Sequence, residues 1–216
     1  NEKFFLKVNN ASSYPKMFGK EIFGLKLLSD NSTFVIPQPI CTDEYANSQY
    51  LLMSWKESVP STKDYMAEAG RKLAVLHLNQ SNYSGLNEDN FIGSIIQKNT
   101  KNKNGIEFYI ENRWKPLIEK AAESGSLSIT DVKKMEQLFS NVHKIIPNEK
   151  ASLLHGDLWS GNIFNTANGP CVFDPAVYYG YRETDLAMTL MFGGFTQEFY
   201  NGYNEVFPLE NSWKER

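Results

Sequence analysis

The 216-residue chain has only two cysteines, Cys41 and Cys171, widely separated and in no CxxC pair. That scarcity excludes a disulfide framework and a cysteine-based zinc site, and fits a reducing compartment. No apolar run reaches the roughly 20 residues that cross a bilayer, so no membrane partner is expected. Strong charge of either sign is also missing. The formal net charge is −3, which removes the electrostatic case for a nucleic-acid partner. There are no repeats and no low-complexity tract. No signal peptide is visible, because Asn1-Glu2-Lys3-Phe4-Phe5-Leu6-Lys7-Val8 reads as a strand already under way. The expected location is therefore cytoplasmic, and the first residue is expected to lie inside a longer domain. No oligomeric state is implied. What is present is ordinary for a globular protein: 41% hydrophobic and 22% charged residues, on a length sufficient for a sizeable core in one domain or two lobes.

Periodicity divides the chain. Phe4 to Val8 is β-rich and stops at the turn-favouring pair Asn9-Asn10. Met17, Phe18, Ile22, Leu25 and Leu28 carry a helical spacing. Pro37 and Pro39 keep the stretch after Val35 extended. Tyr50 to Trp55 reads as a buried strand, and the polar run Lys56 to Lys63 as a linker. A helix is expected from Ser61 or Thr62 to about His77, with Asp64 in its first turn. Asn79 to Gly105, rich in Asn, Ser, Lys and Gly, reads as mostly loop. Helices are expected over 107–122 and 129–146, the second capped by Thr130. Short strands follow at Leu153-Leu154, Ile163-Phe164 and Cys171-Val172-Phe173, the last two joined by the hairpin-turn residues 165–169. The tail from Thr184 is helical. The class is thus α+β: a small mixed lobe over 1–57 and a larger, mostly helical lobe over 58–216 enclosing a β-hairpin, with a cleft between them suited to a ligand.

The residues with most chemistry lie in His155-Gly156-Asp157-Leu158-Trp159-Ser160-Gly161-Asn162, followed by Asp174 in Val172-Phe173-Asp174-Pro175. An aspartate followed five positions later by asparagine has the spacing of kinase catalytic loops, where the Asp is the base and the Asn a metal ligand. Asp157 alone would read as a backbone cap. Antiparallel pairing of 162–164 with 171–173, however, brings Asn162 beside Asp174. Two oxygen ligands near one proton acceptor suit Mg²⁺, which takes its other ligands from phosphates and water. His155 reads as a support for the loop backbone, and His77 carries no separate signal. Lys7, mid-strand, is either a solvated residue or a phosphate-contacting lysine paired with Glu21 on the next helix; the Asp157 loop favours the second. The strand holding Met53 and Trp55 offers backbone to adenine. Asp185 reads as a structural acid.

With these residues in hand, the chain resembles the fructosamine kinase (ketosamine-3-kinase) family, in the aminoglycoside-phosphotransferase-like branch of the protein-kinase-like fold. The resemblance rests on HGDLWSGN at 155–162, FDPAVYYGYRETDLAM at 173–188 and MFGGF at 191–195. FLKVN at 5–9, MFGKEIFGLKLL at 17–28 and NFIGS at 90–94 add to it. It implies ATP- and Mg²⁺-dependent phosphorylation of the 3-hydroxyl of a ketosamine, free or protein-linked, in deglycation. Asp157 would be the base; Asn162 and Asp174 would hold the metal; Lys7 and Glu21 would position the phosphates. The loop Asn90-Phe91-Ile92-Gly93-Ser94 and the Trp159 neighbourhood would lie near the sugar. The resemblance also implies a nucleotide-covering loop before Asn1 and helices after Arg216, so the first lobe is expected to be truncated. Tyr181 stands where the family more often has His. Two alternatives stay open: a kinase of another hydroxylated amine, of aminoglycoside or choline type, and a catalytically silent kinase-like domain.

Overall fold

The computed structural model describes residues 2–216; Asn1, grouped above with the first strand, lies outside the described residues. The chain opens with β1 (Phe4–Asn10), α1 (Met17–Asn31), β2 (Pro39–Tyr45) and β3 (Ser48–Ser54). The strands form an antiparallel sheet in the order β1-β3-β2. Strand β3 alternates, burying Gln49, Leu51 and Met53 and leaving their neighbours half-buried. The buried strand expected over Tyr50–Trp55 is thus present as Ser48–Ser54, buried on one face by the two-residue period of a strand. The buried face meets Phe18, Leu25 and Leu28 of α1 in the core.

The segment after β3 has no regular secondary structure to residue 62. It is pinned to the later hairpin by Val59 N–H donating to Asn165 O (3.0 Å) and Asn165 Nδ2 donating to Pro60 O (3.0 Å). Helix α2 (Tyr65–His77) therefore starts later than expected, with Asp64 at its N-cap position rather than in its first turn. Tyr65, Ala69, Leu73 and Leu76 bury one stripe of it. The tract over 79–105 is mostly loop, as expected, but not wholly so. It contains β4 (Gln80–Ser81) and an antiparallel hairpin of β5 (Asn90–Ile92) and β6 (Ile95–Gln97).

Next come α3 (Gly105–Tyr109), a π-helical turn (Ile110–Trp114) and α4 (Lys115–Glu123), one run where a single helix over 107–122 was expected. Helix α5 (Ile129–Asn141) is shorter than its expected 129–146 and is not capped by Thr130. Its cap is Ser128, whose hydroxyl accepts from Asp131 N–H while the Asp131 carboxylate accepts from Ser128 N–H, a reciprocal capping box.

The remaining strands are β7 (Ala151–Leu154), β8 (Ile163–Thr166), β9 (Gly169–Val172) and β10 (Tyr178–Gly180), followed by α6 (Glu183–Met191) and α7 (Gln197–Val206). A second sheet has the order β10-β7-β4, and β8 pairs with β9 as the expected hairpin. Strand β10 carries no sequence signal of its own, because it is three residues long and defined by its partner β7. Helices α2 and α7 cross closely: a Cβ on Gly70 would fall 1.9 Å from Phe199 O, and one on Gly202 would fall 2.1 Å from Ala67 O. The α+β class holds. The first sheet and α1 share one apolar core with the later elements and are tied to them by Val35, which donates to Pro170 O (2.9 Å) and accepts from Val172 N–H (3.1 Å). No helix among the described residues is long and apolar enough to cross a membrane.

Candidate active site

Strand β7 delivers His155, Gly156 and Asp157 into a loop whose backbone is tied to a buried carboxylate. Asp185, on α6 and 1% exposed, accepts from His155 N–H (2.8 Å) on one oxygen and from Gly156 N–H (2.9 Å) on the other. His77 of α2 lies 3.1 Å from the same carboxylate through Nε2, and its Nδ1 lies 2.8 Å from the hydroxyl of Tyr203 on α7. The carboxylate only accepts, so Nε2 carries the proton and Nδ1 accepts from the Tyr203 hydroxyl. Burial holds His77 below its ordinary pKa and therefore neutral. Burial alone would raise Asp185; the hydrogen bond from His77 and the nearby imidazoles and amides outweigh it and keep the acid ionised. His155 is likewise buried and neutral, with Nε2 set against Phe173 O (3.1 Å) and Nδ1 against Asp157 N–H (3.3 Å).

Asn162 folds back on Asp157. Its Nδ2 donates to the backbone oxygen (2.8 Å) and to Oδ2 of the side chain (3.0 Å). The Asn162 amide oxygen therefore faces away from that contact. The hairpin then does what pairing predicts. Ile163 lies opposite Val172 and Phe173 N–H donates to Asn162 O (3.2 Å), so the chain emerges at Asp174 beside the start of the loop. Asp174 adopts φ 54°, a left-handed conformation that aspartate tolerates better than most residues.

Lys7 of β1 reaches across from the other part of the molecule. Its ammonium group lies 2.8 and 2.9 Å from the two oxygens of Glu21 and 2.7 Å from Oδ1 of Asp174. Burial alone would lower the Lys7 pKa; the two carboxylates outweigh it and raise it. Burial pushes Glu21 up, against the pull of Lys7. For Asp157 too burial is the main cause and raises the carboxyl above the ordinary aspartate range. Asp174 and Asp185 act in the same direction, while the Asn162 hydrogen bond opposes them.

These groups line a cavity of about 140 Å³ formed by Lys7, Met17, Lys20, Glu21, Asn90, Phe91, Gly93, Asp157, Asp174 and Pro175. A larger cavity of about 600 Å³ lies between α1, β2 and residues 86–90, but it contains neither Asp157 nor Asp174. The smaller one brings together the carboxyl groups of Glu21, Asp157 and Asp174 and the ammonium groups of Lys7 and Lys20.

Five candidates, Lys7, Glu21, Asp157, Asn162 and Asp174, thus meet at one place. Met53 and Trp55 lie apart from them. Met53 is buried in the central strand, opposite both Phe5 and Pro39. Trp55 is the first residue beyond that strand. It is 42% exposed, with its indole N–H donating to Glu57 (2.8 Å), and no hydrogen bond to its backbone is found among the described residues. Trp159 packs on Phe192 (ring centroids 5.8 Å apart) at the edge of the loop. Tyr181 is buried, its hydroxyl against Gly105, and lines neither cavity. Sequence reasoning missed the roles of His77 and Tyr203, and also the amide cluster around Gln97. A buried polar side chain has no signature of its own in a single sequence.

The sequence model of the fructosamine kinase family matches residues 1–216. A probable ketoamine kinase of Vibrio parahaemolyticus is 34% identical over 219 residues, an alignment covering 100% of this chain and 74% of that protein. A crystal structure from Haemophilus somnus, described as a fructosamine-3-kinase, superposes with a TM-score of 0.90 at 30% identity, covering 100% of this chain and 72% of that one. An aminoglycoside phosphotransferase in complex with AMP-PNP and hygromycin B superposes with a TM-score of 0.60 over 94% of this chain and 69% of its own; at 13% identity it speaks to the fold alone. With the family model matched along its whole length, this chain belongs to the fructosamine kinase family.

Proposed function

We propose that the protein transfers the terminal phosphoryl group of ATP to the 3-hydroxyl of a ketosamine, a fructosamine or ribulosamine, free or protein-linked, as a step in deglycation. The observation that carries this reading is the convergence of Lys7, Glu21, Asp157 and Asp174, drawn from distant parts of the sequence, on one cavity, with Asn162 buried behind Asp157 and bonded to it. In this reading residues 1–57 form the nucleotide-side lobe and 58–216 the acceptor-side lobe. Lys7, held by Glu21, contributes fixed positive charge to the phosphates. The Trp55 backbone, without a partner among the described residues, offers hydrogen bonds to adenine just beyond the strand Ser48–Ser54 that holds Met53. Asp157 accepts the proton of the attacking 3-hydroxyl. Its raised pKa makes it a stronger base than an exposed aspartate, and Asn162 fixes the orientation of its carboxylate.

The donor set fits Mg²⁺. The Asn162 amide oxygen takes no hydrogen bond from the described residues, and Asp174 has one oxygen beyond the Lys7 contact. One carboxylate and one amide suffice for an ion that keeps water and phosphate as its other ligands. When bound, the ion neutralises phosphate charge that develops during transfer. The protein's own share of catalysis is then positioning and electrostatics.

Asp157→Ala is expected to lower turnover of fructosyl- and ribulosyl-lysine by about 10²–10⁴-fold while nucleotide binding persists. In the parent protein, kcat/KM is expected to fall as pH drops through the Asp157 pKa, since only the ionised carboxylate accepts a proton; the upward shift places that limb above the ordinary aspartate range. Near-parental rates in Asp157→Ala would remove the base assignment. Turnover of aminoglycosides or choline in place of ketosamines would redirect the acceptor class.

A further inference from the structure

The β5–β6 hairpin lines the same cavity as Lys7 and Asp157, through Asn90, Phe91 and Gly93. This hairpin has little apolar burial to hold it: Phe91 and Ile92 are half-buried, and Ile96 is 57% exposed. What holds it is a cluster of buried amides. Gln97 Nε2 donates to Asn90 Oδ1 (2.9 Å) and to the backbone oxygen of Ala176 (3.0 Å). Asn90 Nδ2 donates to Val177 O (2.8 Å). Asn99 Nδ2 donates to Asn90 Oδ1 (3.0 Å), and Arg113 donates to Asn99 Oδ1 (2.8 Å). The Arg113 guanidinium lies over the ring of Tyr178, 4.0 Å from its centroid.

Ala176 is the junction of three segments. Its N–H donates to His155 O (2.9 Å), and a Cβ on Gly156 would fall 2.0 Å from its carbonyl oxygen. The same carbonyl accepts from Gln97. The Asp157 loop, the stretch after Asp174 and the hairpin are therefore registered to one another through one peptide unit. A buried cluster of bonded amides of this kind favours a single geometry, because a slip leaves amides unpaired in the interior.

We propose that Gln97 is a positioning residue for the acceptor: through Asn90 and Ala176 it sets the distance from the hairpin tip to Asp157, and thereby which ketosamine sugar fits. The inference rests on the phosphotransfer reading above. The side of the cavity bearing Lys7 and Asp174 has the charges that suit nucleotide phosphates. The hairpin tip instead offers an aromatic ring and backbone, chemistry suited to the carbon face of a sugar. Lys20, the other cation in the cavity, has its ammonium group bonded to Asp89 O at the base of the hairpin.

Gln97→Met keeps the length of the side chain and removes both donated hydrogen bonds. In the full-length protein it is expected to raise KM for fructosyl- or ribulosyl-lysine by about tenfold or more, as a misplaced acceptor requires, while KM for ATP moves by less than about twofold. Phe91→Leu alters the tip but leaves the clamp intact. It is expected to change the ratio of kcat/KM between the two sugars without lowering the melting temperature, and it decides the matter if Gln97→Met does not fold. Equal shifts in both KM values, or none, together with an unchanged sugar ratio in Phe91→Leu, would overturn the assignment of Gln97. A parent protein inactive on every ketosamine is a different failure: it removes the acceptor reading itself.

Discussion

Gly156 lies between the buried carboxylate that holds the loop and Asp157, the proposed base. Its φ of 84° is in the left-handed region, and the Ala176 carbonyl occupies the space a side chain would need. HGD is therefore a sequence of three distinct physical demands. His155 is buried as a neutral support, Gly156 permits close backbone approach, and Asp157 is aimed into the cavity. Gly156→Ala combines positive-φ strain with a backbone clash, and is expected to destabilise the fold by about 2–4 kcal/mol. Chemical denaturation gives that figure, and a loss below about 0.5 kcal/mol would show that the loop can move away from Ala176. The spacing of Asp157 and Asn162 was legible because it is a local feature. The upward shift of the Asp157 pKa was not, since its main cause is burial, which depends on what packs over the loop.

At the scale of elements, three helices hold the loop they do not contain. Helix α6 supplies Asp185, α2 supplies His77 and α7 supplies Tyr203. The close crossing of α2 and α7, permitted by Gly70 and Gly202, brings the imidazole and the phenol together. Asp185→Ala would leave the His155 and Gly156 amides and the His77 ring unpaired in a dry interior. Each unsatisfied group costs about 1–3 kcal/mol, so a loss of about 3–5 kcal/mol is expected. Because the folded-state pKa of Asp185 is lowered, its contribution is present above the ordinary aspartate pKa and is lost as pH falls through the depressed value. Urea melts at neutral and acid pH read both effects, and a variant as stable as the parent at neutral pH would contradict the account. Asp185 was readable from sequence as a structural acid, but its partners were not. The β5–β6 hairpin was misread as loop because amides, rather than an alternating apolar pattern, hold it.

At the scale of the molecule, the ion pair of Lys7 with Asp174 joins residues separated by 167 positions and closes the first sheet onto the hairpin. The nucleotide is expected to bind at this seam and so to stabilise the whole chain. Mg-ATP at about a hundred times its dissociation constant should add about 2.7 kcal/mol, read as a rise in melting temperature. Asp174→Ala should remove most of that rise at fixed Mg²⁺. A full shift in this variant would count against the metal role of Asp174.

The sequence by itself determined the chemistry and the class. Turn residues and the spacing of Asp157, Asn162 and Asp174 are local, and local patterns specify the loop, its hairpin and an α+β chain of kinase type. The tertiary structure alone decided which dispersed polar groups act together. Whether Lys7 is a solvated strand residue or the partner of Glu21 and Asp174 depends on how a sheet closes over a helix. Whether Gln97 is a loop amide or a clamp on Ala176 depends on which backbone carbonyl is left facing it. Burial and long-range pairing, not residue identity, set those roles.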